Sequence, residues 1–172
     1  MRSPIYLRHV TLADQREFLA SVRASRALHR PWVYAPSTPQ QFRAYIGRMQ
    51  KAENRGFLVC ARGTRALVGV INISNIVLGL FRSAYLGYYA FAGFERQGLM
   101  SEGLRAVVRH AFRSMKLHRL ETNIQPKNAA STAFARSCGF SKEGFSPRYL
   151  KIGGRWRDHE RWAIIAPYRR GL

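Results

Sequence analysis

The segment Glu95-Arg96-Gln97-Gly98-Leu99-Met100-Ser101-Glu102 holds residue types suited to binding an anion. It lies between an alternating stretch that ends near Phe91 and an apolar stripe of helical period that begins at Leu99. The first amides of a helix lack partners within it, a preceding glycine lets a ligand approach the backbone, and the helix end adds partial positive charge. These features make a site ready for a pyrophosphate, to which Arg96 could add a charge-assisted contact. A glycine turn into a helix is also a common structural device, and neither G-x-x-x-x-G-K-[ST] nor G-x-G-x-x-G is present. Groups able to move a proton are few. Glu102 falls in the first turn of the helix, where it can simply stabilise the dipole, and Glu121 falls on a strand, from which it could pass a proton through water. Asp158, His159 and Glu160 lie near the last strand. Tyr88, Tyr89 and Tyr149 fit the commoner role of core aromatics on strands.

The elements that position these groups follow from period and punctuation. Ile5 to Val10 alternates as an opening strand, and Thr11 with Asp14 offers cap chemistry for a helix to about Arg26. After a proline-rich loop, Thr38-Pro39 starts a second helix that ends near Asn54 to Gly56. Gly56 to Arg62, Leu67 to Ile76 and Ser83 to Phe91 read as an antiparallel meander. The helix after Gly98 runs to Lys116–His118, Leu120 to Ile124 is a strand, and Pro126-Lys127-Asn128 opens a further helix closed by Cys138-Gly139-Phe140. Strand, helix, strand, helix implies a parallel pairing. Tyr149 to Ile152, Gly153-Gly154 and Trp156 to Ile165 read as a final hairpin.

Composition narrows the function. The 172 residues carry 29 Lys+Arg against 9 Asp+Glu, a formal charge of +20 spread along the whole chain, and 24 of the cations are arginine. Guanidinium suits phosphate and carboxylate recognition, so a polyanionic partner such as a nucleotide-like cofactor or RNA is expected, while a polyamine or aminoglycoside would be repelled. Solubility or an arginine-rich genomic composition is the plainer account of the same charge. A chain of this length forms one domain, residues 1–172, burying roughly 70% of its unfolded surface. No apolar run reaches the ~20 residues a bilayer requires, and Met1-Arg2-Ser3-Pro4 begins no signal-type stretch, so a cytoplasmic location is expected. Cys60 and Cys138 have no metal-ligand spacing, which argues against a zinc site or a disulfide framework.

Three antiparallel strands, a glycine turn into a helix, a strand, then Asn128-Ala129-Ala130-Ser131 and Cys138-Gly139-Phe140 resemble the Gcn5-related N-acetyltransferases along nearly the whole chain. Leu117-His118-Arg119-Leu120-Glu121, Gln125-Pro126-Lys127-Asn128, Gly139-Phe140-Ser141-Lys142-Glu143-Gly144, Tyr149-Leu150 and Trp156-Arg157-Asp158-His159 are similar to the RimJ/RimL-type ribosomal-protein-alanine N-acetyltransferases, closest to the RimJ branch. The resemblance implies an α+β fold with a mixed sheet of about six or seven strands flanked by about four helices. It also implies acetyl-CoA as cosubstrate, with no metal. The pyrophosphate would rest on the amides of Arg96, Gln97, Gly98, Leu99, Met100 and Ser101. The pantetheine would lie beside Tyr89, Ala90 and Phe91, with Asn128, Ser131 and Phe134 at the thioester end. The family's loop pattern is Q/R-x-x-G-x-G/A; here Gly93 stands at the first position and Arg96 at the first glycine, and only Gly98 is retained.

Direct transfer needs a neutral amine, a polarised carbonyl and a proton for the leaving thiolate. By analogy with the RimL-type relatives, Ser131 donates that proton; otherwise it is a helix-surface serine. Glu102 and Glu121 are the carboxylates considered for the base, because the acidic position that some relatives carry before Tyr-Leu is Arg148 here. An α-amine, with pKa near ~8 against ~10.4 for lysine, is roughly a few hundredfold richer in its reactive form and needs only a weak base. The expectation is therefore N-terminal acetylation of a basic protein, a ribosomal one, by a monomer or homodimer, with its arginine surface near ribosomal RNA. The alternatives are acetylation of a small-molecule amine, or noncatalytic RNA or ribosome binding in which Trp32, Trp156 and Trp162 stack on bases.

Overall fold

Apolar runs and alternating segments form seven strands in one sheet, and the computed structural model describes them within residues 3–167. Met1 and Arg2, on which part of the signal-peptide reading rests, lie outside the described residues, as do residues 168–172. The elements in chain order are β1 (Ile5–His9), α1 (Gln15–Ala24), α2 (Arg26–His29), α3 (Pro39–Met49), β2 (Arg55–Ala61), β3 (Leu67–Val77), β4 (Ser83–Ala90), α4 (Leu99–Arg113), β5 (Arg119–Ile124), α5 (Ala129–Ser137), β6 (Ser141–Ile152) and β7 (Arg155–Ile165). The sheet runs β1-β2-β3-β4-β5-β7-β6, antiparallel except where β4 meets β5. This is the α+β architecture expected, with the one-turn α2 as a fifth helix.

Each face of the sheet has its own core. On one, Ile71, Ile73, Leu86 and Leu120 pack against Leu104, Val107 and Ala111 of α4 and Ala135 of α5. On the other, Leu58, Cys60 and Val70 meet Phe18 of α1 and Phe42 and Ile46 of α3. Phe18 anchors that second core, with its ring centroid 4.8 Å from Phe42 and 5.8 Å from Phe91. Each such buried large side chain contributes about 1.5–3 kcal/mol relative to exposure.

The differences from the expected boundaries have local causes. The first helix does not continue to Arg26: a 3-10 turn over Leu12–Asp14 precedes α1, and Ser25 separates α1 from α2. Helix α3 stops at Met49 because the Asn54 Nδ2 donates to the Arg48 carbonyl at 3.0 Å and turns the chain there. Helix α4 stops at Arg113, and Lys116 has φ +56, which no right-handed helix contains. Strand β6 is much longer than the Tyr149–Ile152 segment expected, because Gly144 and Pro147 obscure its alternation. Its pairing with β7 slips twice, between Lys142 and Gly144 and between Ser146 and Leu150.

The parallel contact is what builds a site. Strands β4 and β5 pair only through Ser83–Tyr85 and Arg119–Glu121, and beyond these positions they separate. The Phe91 amide donates to the Val68 carbonyl at 2.8 Å, so by strand alternation the backbone groups of Tyr89 and Gly87 face β3. Those of Leu86, Tyr88 and Ala90 face the gap. No helix among the described residues is long and apolar enough to cross a membrane.

Candidate active site

At the mouth of the gap, the loop from Gly93 to Gly98 is held by its own side chains. The Gly93 amide donates to Glu95 Oε2 at 2.7 Å, and Gln97 Nε2 donates to the Gly93 carbonyl at 2.8 Å. Gly98 caps α4 with φ +75, and the first intrahelical bond runs from the Glu102 amide to the Gly98 carbonyl at 3.0 Å. The amides of Leu99, Met100 and Ser101 are thus left for a ligand. Arg96 takes φ +59, the left-handed conformation natural to glycine, at a cost of about 1–2 kcal/mol. The backbone therefore follows a path suited to the glycine that the family has there, with the exposed guanidinium outside it. The Met100 side chain is buried and fills the space that Gly69 leaves open, so only its amide is free for binding.

Deeper in the gap, Asn128 caps α5, its Oδ1 accepting from the Ser131 amide at 3.2 Å. The Ser131 hydroxyl lies 3.2 Å from the Tyr88 hydroxyl. Phe134 packs on the Tyr88 ring at 5.0 Å between centroids, and Thr122 gives the phenol a second polar neighbour. Burial pushes the Tyr88 phenol above its ordinary pKa, so at neutral pH it keeps its proton.

On the opposite face, Glu121 pairs with Arg119 Nε at 2.8 Å, and Arg119 also grips Glu143. Glu121 adjoins Tyr85, whose phenol is pushed up to about 12 by a hydrogen bond with Tyr149, by burial and by the nearby carboxylate. Asn123 Oδ1 and the Tyr89 hydroxyl are buried without partners. His159 is buried, and Nδ1 donates to the Arg157 carbonyl at 2.9 Å, which leaves Nε2 as the acceptor. The other acidic groups are engaged elsewhere. Asp158 accepts the Arg148 amide at 2.7 Å, Glu160 pairs with Lys142 at 2.5 Å, and Glu102 lies 3.8 Å from Arg105. The structure brings Ser131, Asn128 and Phe134 together and does not join Glu102 to them.

Residues 5–141 match the acetyltransferase (GNAT) domain family. The chain belongs to that family. It is 35% identical over 133 residues to the [ribosomal protein uS5]-alanine N-acetyltransferase of Escherichia coli, an alignment spanning 75% of this chain and 69% of the relative. Mycobacterium smegmatis RimJ, solved in complex with CoA-disulfide, superposes with a TM-score of 0.86 at 26% identity, covering 94% of this chain and 82% of that one. A spermidine N-acetyltransferase from Vibrio cholerae superposes with a TM-score of 0.80 at 20% identity, over 95% and 96% of the two chains. The shared GNAT fold thus serves different acceptors, and the acceptor must be read from the site.

Further residues, which their local sequence does not single out, tie neighbouring elements to the edges of the gap. Ser25 is fully buried; its hydroxyl donates to the Ser21 carbonyl at 2.6 Å and accepts from the Ala92 amide at 2.8 Å, which ties α1 to the loop after β4. His29 Nε2 donates to the Ala90 carbonyl at 2.7 Å. The hairpin turn at Gly153 touches Tyr34: a Cβ added to Gly153 would sit 2.4 Å from that phenol ring. The loop after α2 and the β6–β7 hairpin therefore meet. Trp162, one of the aromatics expected to stack on bases, is buried instead, with Nε1 donating to Glu160 Oε2 at 3.1 Å. Trp156 remains exposed.

Proposed function

We propose that the chain is one acetyltransferase domain that moves an acetyl group from acetyl-CoA to the N-terminal α-amine of a protein, a ribosomal protein in the cytoplasm. One observation carries the reading: unpaired β4 backbone groups, free α4 amides and the Ser131–Tyr88 hydroxyl pair surround a single gap. The residues fit the cosubstrate. Amides of Arg96 to Ser101 suit a pyrophosphate, and the Tyr88 backbone and the Ala90 amide offer partners to a pantetheine beside Tyr89 and Phe91.

Acetyl-CoA supplies the activated acetyl thioester. Backbone N–H groups of β4 that face the gap polarise its carbonyl, and Ser131, held in place by its hydrogen bond with Tyr88, donates to the departing thiolate. Glu121, on the other face beside Tyr85, is the carboxylate placed to take the amine proton through water. Glu102 keeps the role of a helix-terminus acid. Alanine as the acceptor residue follows the activity for which the Escherichia coli relative is named, and the arginine-rich composition supports approach to ribosomal RNA.

Labelled acetyl-CoA incubated with ribosomal proteins and a panel of small amines, with mass spectrometry locating the label, tests the reading. Label on a protein N-terminus is the expected result. Label on small amines alone replaces the acceptor, and no transfer, together with no stabilisation by acetyl-CoA, supports noncatalytic RNA binding. Gly98→Val, strained at φ +75, should weaken acetyl-CoA binding.

A further inference from the structure

Beside the end of β4, on the face opposite α4 and α5, α1, α2, α3 and the loop between α2 and α3 enclose a cavity of about 500 Å³. Arg23, Arg26, Arg30 and Arg48 line it, and no aspartate or glutamate does. Among the described residues the ion pairs involve Arg8, Arg105, Arg119 and Lys142, so these four guanidiniums have no carboxylate partner. Grouping like charges costs stability unless something opposite is bound. Arg30 is oriented over the Tyr34 ring at 4.1 Å, and Arg48 lies 5.7 Å from the Tyr45 ring.

The cavity's position connects it to the reaction. His29 lines it, is itself buried, and bonds the Ala90 carbonyl on the side of β4 that faces the gap. Tyr45, also in the lining, donates to Asn72 Oδ1 of β3 at 2.7 Å. An extended peptide advances about 3.3 Å per residue, so an acceptor whose amine is in the gap needs only a few residues to pass Ala90 and follow His29 into the cavity.

Resting on the N-terminal acetylation reading above, we propose that the acceptor begins with an acidic segment whose carboxylates seat among Arg23, Arg26, Arg30 and Arg48. Planar guanidinium forks match carboxylates in a bidentate manner. A concave cavity takes a few side chains, whereas RNA requires a groove that tracks its backbone with aromatic platforms. The basic acceptor expected from the sequence is thereby refined: the body of the protein can be basic, but the segment beside the amine is not.

The test uses the wild-type chain and peptides of equal length that start with alanine and carry Glu, Gln or Lys at the second to fifth positions. Acetylation should fall in the order Glu, Gln, Lys, with kcat/KM for Glu and Lys differing by about tenfold or more, chiefly in KM, and converging as salt is added. The double substitution Arg26→Gln with Arg30→Gln should erase the preference for the Glu peptide. Equal kcat/KM across the series overturns the acidic segment and leaves N-terminal acetylation standing; failure of every peptide while small amines are acetylated overturns both. A phosphoserine peptide acetylated better than the Glu peptide reassigns the cavity to phosphate. Inhibition by single-stranded RNA, with none by an N-acetylated Glu peptide, reassigns it to nucleic acid. Either result overturns the proposal.

Discussion

Ser131 and Tyr88 are 43 residues apart in sequence, yet their hydroxyls lie 3.2 Å from each other, and the proposed role of Ser131 as proton donor rests on that pairing. A serine on the outside of a helix would have water as its partner. Here the Tyr88 phenol is a fixed partner that holds the Ser131 hydroxyl in the gap. Ser131→Ala should lower kcat with little change in acetyl-CoA affinity, by roughly the 1–3 kcal/mol of a hydrogen bond lost in a site. Tyr88→Phe should give a smaller loss. Because one hydrogen bond is shared, the double variant should be little worse than Ser131→Ala alone. Steady-state kinetics on the four proteins checks this; fully additive losses would mean that the two hydroxyls act independently.

At the scale of elements, the decisive contacts are those that tie the roof of the cleft to β4. Ser25→Ala leaves the Ala92 amide and the Ser21 carbonyl without the hydroxyl, at a cost of about 1–3 kcal/mol for a buried group left unpaired. Because Ala92 begins the loop that leads to Gly98, acetyl-CoA affinity should fall along with stability, as urea unfolding and calorimetric titration would show. Gly153→Ala acts at the other wall. It strains a residue at φ +57 and drives a methyl into Tyr34, so KM for the acceptor should rise while acetyl-CoA affinity is kept. Strands β2, β3 and β4 were legible within a residue or two because short apolar or alternating runs bounded by turn residues are a local signal. Asn128 and Thr38 were legible as caps for the same reason. Ser25 and His29 were not, since their partners Ala92 and Ala90 are 67 and 61 residues away and nothing local distinguishes a bonded serine or histidine. The arginine cavity was hidden in the same way. The charge could be counted in the sequence, but Arg23, Arg26, Arg30 and Arg48 converge only once α1, α2 and α3 pack.

Over the whole molecule, a chain of charge +20 keeps two imidazoles inside: His29 under the arginine cavity and His159 in β7. Burial lowers the pKa of both, against the opposing effect of the carbonyls of Ala90 and Arg157. In the unfolded chain each takes up its proton near the ordinary value of about 6.5, so below that pH the unfolded state binds more protons than the folded one. Stability must then decrease as pH falls from about 6.5 toward the folded values. The carboxylates act lower. At Asp14, burial is outweighed by the bonds from Arg8 and Thr11, while Arg119 lowers Glu143 and Lys142 lowers Glu160. Their contribution is complete above the ordinary carboxylate range of about 4 and is lost only as pH passes below it. The interval between about 6.5 and 5 therefore reports the buried histidines. Urea unfolding across it should show decreasing stability for the wild-type chain and a flatter profile for His29→Gln with His159→Asn, whose amides can replace the Nε2 and Nδ1 donors without titrating. An unchanged slope in that variant would place the proton uptake on other groups, and with it the resistance of this cationic fold to charging its own interior.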